Sequence, residues 1–175
     1  MSRSPFFFVE MFNTKTNKYE LCHPYVWNMD FTKLVPAELV PYNGWHDLFS
    51  IVEQTDTVCF PRMKGIHHTL PSDTCDYIKE LYDKQTQNDI EDFGITHVSP
   101  HWFTYADMLI YLLEHPEVKN YEAMDYTERE MDVVFMPNPV QSLKNRVDAF
   151  LDIVMDGWYD WQEWYTSIRI VYWIF

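Results

Sequence analysis

The sequence predicts an α+β protein, a single compact domain over residues 1–175, with an antiparallel sheet and three main helices. Three observations predict it. Runs rich in β-forming residues stand at both ends, Phe6–Phe12 and Trp164–Phe175. Between them lie stretches whose apolar residues recur at helical spacing. Apolar residues make up 47% of the 175, which supports a real core. Strands at the ends with helices between them give the α+β class.

The elements follow in order. Phe6–Phe12 reads as a strand, Asn13–Lys18 as a polar turn, and Tyr19–Cys22 as the returning strand of a hairpin. Residues 24–44 carry Pro24, Pro36, Pro41 and Gly44 and predict an ordered loop. Its Tyr25, Trp27, Phe31, Leu34 and Val35 are expected to be buried. Asn43 is placed to cap a short helix from Gly44 to Glu53, with Leu48, Phe49 and Val52 inward. Val58–Phe60 predicts a short strand ended by Pro61.

Ser72 is the expected cap of a helix over Asp73–Lys84, with Asp73 and Asp76 at its positive end. Cys75, Ile78, Leu81 and Tyr82 form its inner face. Residues 85–98 are polar and acidic and predict an exposed loop.

The clearest helix start in the chain is Thr104, with Asp107 three residues later as a shortened capping box. Pro100 keeps the segment before it extended, and Trp102 and Phe103 lead into the apolar wall of Tyr105, Met108, Leu109 and Leu112. His115-Pro116 stops this helix. Glu117–Glu130 predicts an acidic connection and Met131–Met136 a strand. Asn138 caps the third helix, with Pro139 at its first position and Gln141 at its third. Val140, Leu143, Val147, Phe150, Leu151 and Val154 give its inner face, and Gly157 its end. Both sides of the final run are apolar, which predicts a central, covered strand. Ile168, Ile170 and Tyr172 are expected on one face, Val171 and Trp173 on the other.

The net charge of −14 disfavours direct nucleic-acid binding and favours a basic partner. Cys22, Cys59 and Cys75 form no even disulfide framework. No stretch resembles a signal peptide, and the apolar runs are too short to span a bilayer. The expected setting is a reducing cytoplasm with buried thiols and no membrane contact.

Several segments together are similar to a family of small acidic phage and prophage proteins. They are Phe7-Phe8-Val9-Glu10, Tyr42-Asn43-Gly44-Trp45-His46-Asp47-Leu48-Phe49-Ser50-Ile51-Val52, Gly65–Asp73, Ser99–Tyr105 and Arg169–Phe175. His101 stands where that pattern usually has Ser. The resemblance implies a phage accessory protein in the host bacterial cytoplasm. It brings no catalytic residues.

His67, His68, His97 and His101, with Cys59 and Cys75, lack metal-ligand spacing, so no metal and no other cofactor is expected. Cys75 sits near a helix start, but Asp73 and Asp76 oppose a thiolate and its apolar face predicts core packing. Asp89, Glu91 and Asp92 have no apolar setting to raise a pKa. With no nucleophile elbow or phosphate loop, no enzyme is expected. Two binding features remain. Asp148, Asp152, Asp156 and Asp160 recur every four residues and, with Glu128 and Glu130, form a candidate acidic docking face that imitates a phosphate backbone. His101, Trp102, Trp164, Arg169 and Trp173 form a candidate aromatic ligand pocket. The leading expectation is a non-catalytic inhibitor of a host or defence protein with a basic surface. A sponge for a nucleotide second messenger comes next, and a small hydrolase third.

Overall fold

A computed structural model describes residues 5–39, 48, 51, 61–93, 99–116, 118–121, 133–136, 138–155 and 167–174. It shows an α+β fold. In chain order the elements are β1 (Pro5–Asn13), β2 (Lys18–Leu21), β3 (Tyr25–Trp27), β4 (Leu34–Pro36), α1 (Asp76–Phe93), β5 (His101–Thr104), α2 (Tyr105–Glu114), β6 (Val118–Tyr121), β7 (Val133–Met136), α3 (Pro139–Met155) and β8 (Ile168–Ile174). The main sheet has four strands in the order β2-β1-β8-β5, and every pairing is antiparallel. β8 is therefore central, as its two apolar faces predict.

Alternation along β8 divides the core in two. Ile168, Ile170 and Tyr172 pack with Phe7 and Val9 of β1, Phe103 of β5, and the inner residues of α2 and α3. Val171 and Trp173 pack with Phe8 on the opposite face, under Ile78, Leu81 and Tyr82 of α1. The sheet thus carries α2 and α3 on one side and α1 on the other.

The expected hairpin of β1 and β2 is present, with Asn13 Oδ1 accepting the Lys15 N–H in its turn. The α2 capping box is complete: Thr104 Oγ1 accepts the Asp107 N–H, and Asp107 Oδ2 accepts the Thr104 N–H. Asn138 caps α3 by accepting the Val140 N–H at 3.0 Å.

Several expectations are corrected. α1 starts three residues later and ends nine residues later than Asp73–Lys84. The expected loop 85–98 is helical to Phe93, because Gln87 and Glu91 pair across one turn and Gln85 accepts the Trp173 indole N–H at 2.6 Å. His101–Thr104 is a strand that its four residues were too few to reveal. Val118–Tyr121, expected in a connection, pairs with Val133–Met136. Val154 is 37% exposed and not on the inner face of α3. Residues 24–44 hold a hairpin of β3 and β4 whose aromatics are exposed, as set out below. Leu48 and Ile51 are helical and buried. Phe49, Val52, the 58–60 strand and Gly157 lie outside the described residues.

Candidate functional site

The sheet face under α1 carries an ion-pair network inside apolar strands. The register sets Glu10 of β1 opposite Arg169 of β8. Arg169 Nε donates to Glu10 Oε2 at 2.6 Å, and Nη1 donates to Asp73 Oδ1 at 2.8 Å. The other Glu10 oxygen accepts the Thr74 hydroxyl and the Cys75 N–H, both at 2.6 Å. Glu10 thus does from a distant strand what the glutamate of a capping box does locally. This is why α1 begins after Cys75, whose carbonyl accepts the Lys79 N–H, and not after Ser72. The Arg169 guanidinium lies 3.4 Å from the Tyr19 ring centroid and 5.5 Å from that of Trp102.

Tyr19 also lines a cleft of about 550 Å³ between β2 and the start of α1. Phe12, Tyr25 and Tyr77 add further rings to its walls, and Asp73 and Asp76 add carboxylates. Lys18 stands at its turn end.

Tyr25 carries the cleft into the β3–β4 hairpin. The register puts Tyr25 and Pro36 on one face of this ribbon with Trp27 and Leu34. Tyr25 is 62% exposed, Trp27 57%, Phe31 78% and Met29 96%, against the burial expected for the first three. The loop is nevertheless ordered. Asn28 Oδ1 accepts the Thr32 N–H at 2.8 Å, Asn28 N–H donates to the Lys33 carbonyl, and Phe31 N–H donates to the Asn28 carbonyl. Phe31 sits in the left-handed region at φ +53, uncommon for a bulky residue.

His23 marks the place where β2 leaves β1. Its Nε2 accepts the Val9 N–H at 2.9 Å, so Nδ1 carries the proton donated to the Ala37 carbonyl at 2.7 Å. The ring replaces a missing strand partner, between Phe8 and Phe150. Burial lowers its pKa, with the Ala37 bond opposing.

The two described thiols, Cys22 and Cys75, are structural in character, and Cys59 lies outside the described residues. Burial pushes Cys22 and Cys75 up to about 12, and nearby Glu10 adds to both. Among the described residues no group of three His, Cys, Asp or Glu side chains is arranged to hold a metal ion. No described helix is long and apolar enough to cross a membrane.

The expected acidic face is divided. Asp148 accepts the Tyr105 hydroxyl at 2.6 Å and pairs with Lys144 at 2.7 Å. Burial and then this bond raise the Tyr105 pKa, which keeps the phenol protonated. Asp152 is exposed. Asp156, Asp160, Glu128 and Glu130 lie outside the described residues. The candidate pocket residues do not share one side of the sheet. His101 stacks on Tyr172 among the α2 and α3 side, while Trp102 and Trp173 pack on the α1 side. Arg169 is committed to Glu10 and Asp73. Trp164 lies outside the described residues. Burial lowers the His101 pKa, helped by nearby His68. His67 stacks on Trp102 at 3.9 Å and trades two backbone hydrogen bonds with it, closing the β5 edge.

Sequence reasoning missed the roles of Glu10 and His23, and it read Asp73 as a helix-start acid without its bond to Arg169. One signal was there to be read: single opposite charges, Glu10 and Arg169, inside two otherwise apolar strands. These features define a class, an α+β protein with an acid-bordered aromatic cleft continuing onto an exposed aromatic hairpin. Comparison with known families, curated proteins and solved structures finds no match.

Proposed function

We propose that this chain is a non-catalytic binding protein that docks on a basic surface of a protein partner. The observation that carries the reading is the β3–β4 hairpin, which holds Tyr25, Trp27, Met29 and Phe31 in solvent on a hydrogen-bonded frame. Large aromatics held in the open are what interfaces use, and leaving them there without a partner is unfavourable. The net charge of −14 selects a basic partner over an acidic one. The described thiols have raised pKa values and the Arg169 charge is internally paired, which gives no support to an active nucleophile or a phosphate-binding cation. On the sequence resemblance alone, we propose an infected bacterium as the setting and a host or defence protein as the inhibited target.

The test is affinity purification from an infected or expressing bacterium, analysing proteins and small molecules together. The expected result is a basic protein, released as salt rises, whose association with the purified chain slows with ionic strength. Recovery of an ultraviolet-absorbing nucleotide in place of a protein would overturn the reading in favour of a sponge. An Asp152→Asn variant with parental association rate would place the contact away from the α3 acidic face.

A further inference from the structure

We infer that the cleft between β2 and the start of α1 is the receptor for an arginine side chain of the partner, with the β3–β4 face lying on the apolar surface beside that arginine. The inference rests on the basic-partner reading above and assigns the contact to one place.

The chemistry of the walls selects the occupant. Tyr25 and Tyr77 line the cleft with exposed rings, Tyr19 with the ring that Arg169 stacks on, and Asp76 and Asp73 with exposed carboxylates, of which Asp73 gives one oxygen to Arg169. Rings attract a cation through their negative faces, and carboxylates accept its hydrogen bonds. A guanidinium satisfies both requirements, because it is flat, weakly hydrated and carries donors in a fork. An ammonium matches the charge but not the stacking. Among the described residues that line the cleft, Lys18 is the cation and Glu20, Asp73 and Asp76 are acids, with the nearby Arg169 charge paired to Glu10 and Asp73, so an anion is disfavoured.

The protein already contains this arrangement once. Arg169 stacks on Tyr19 at 3.4 Å while bonding Glu10 and Asp73. Tyr19 and Asp73 also line the cleft, so the same ring and the same acid border both places. The internal arginine also fixes the walls in advance. Tyr19 is held by its contact with Arg169 and by an edge-on contact with Phe12 at 5.3 Å, so little ordering remains for a partner to supply. The occupant has an apolar setting because Tyr25 belongs to both surfaces. From the cleft, the ribbon face continues through Tyr25 to Trp27 and Leu34, each more than half exposed.

The experiment uses the full chain and three fluorescein-labelled peptides, Leu-Arg-Leu-Arg-Leu and its lysine and citrulline counterparts. Citrulline keeps the shape and removes the charge; lysine keeps the charge and removes the planar fork. The arginine peptide is expected to bind about tenfold more tightly than the lysine peptide, and the citrulline peptide not at all. Tyr25→Ala, at an exposed position, is expected to keep the parental melting temperature and weaken the arginine peptide about tenfold. Equal binding of arginine and lysine peptides, unchanged in Tyr25→Ala, would overturn the cleft and leave diffuse attraction to basic partners standing. Absence of binding to all three peptides would also overturn the cleft, while the capture experiment still decides the broader reading. A concentration-dependent dimer in sedimentation, lost in Trp27→Ala, would assign the hairpin to a second copy of the chain and overturn the inference.

Discussion

Glu10 and Arg169 stand opposite each other on neighbouring strands, 159 residues apart in sequence, joined by a 2.6 Å hydrogen bond with side chains 0% and 4% exposed. The pair ties the first strand to the last. Through the other Glu10 oxygen, it also anchors the start of α1 to the sheet.

Removing one partner of such a pair leaves a buried charge alone. Arg169→Met is expected to lose about 3–5 kcal/mol of stability in urea unfolding. The double variant Glu10→Gln with Arg169→Met should be the more stable of the two, because it leaves no buried charge. A loss below about 1 kcal/mol in Arg169→Met would show that water screens the pair.

Gly65 adopts φ +85, and a Cβ there would run into the Asp107 carboxylate. That carboxylate cannot yield freely, since Asp107 Oδ2 accepts both the Thr104 N–H and its hydroxyl at 2.8 Å. Gly65→Ala is expected to cost about 1–3 kcal/mol. Thr104→Ala should cost about 1 kcal/mol through the lost cap alone. A Gly65→Ala protein melting at or above the parental temperature would refute the close approach.

His23 gives a pH dependence of defined sign. Its folded pKa lies below the ordinary value of 6.5, because burial opposes the charged ring. Above that value both states are neutral and the stability is fully present. As pH falls below it, the unfolded chain takes up a proton that the folded chain refuses, and stability is lost down to the folded pKa. His101, lowered for the same first reason, acts with the same sign. Urea midpoints between pH 8 and pH 5 should fall more steeply for the parent than for His23→Gln. Parallel curves would show that His23 does not contribute.

Cys22 and Cys75, both raised to about 12, hold almost no thiolate at neutral pH. With iodoacetamide at pH 8, the folded protein should label at both sites more than tenfold slower than the protein in urea, as read by peptide mass spectrometry. Faster labelling of Cys75 in the folded state would identify an activated nucleophile and reopen a catalytic reading.

What the sequence determined by itself was local or periodic. The Thr104–Asp107 cap, the Asn138 cap and the two faces of β8 each follow from residues within a few positions of one another. Helix ends and strand alternation are set by neighbouring backbone groups and side-chain period, and both are written in the order of residues. What the tertiary structure decided depends on residues far apart. The start of α1 moved because Glu10 caps it from 65 positions away. Arg169 passed from candidate ligand contact to buried partner because register placed Glu10 beside it. His23 became a sheet plug because β2 leaves β1 there and Val9 needs an acceptor. The sequence predicts the hairpin aromatics inside, because burial of Tyr, Trp and Phe is the favourable default. Hydrophobicity states how much surface a side chain gains by burial, but only the path of the chain decides which side chains the core can reach, and the β3–β4 ribbon carries Trp27 and Phe31 outside it.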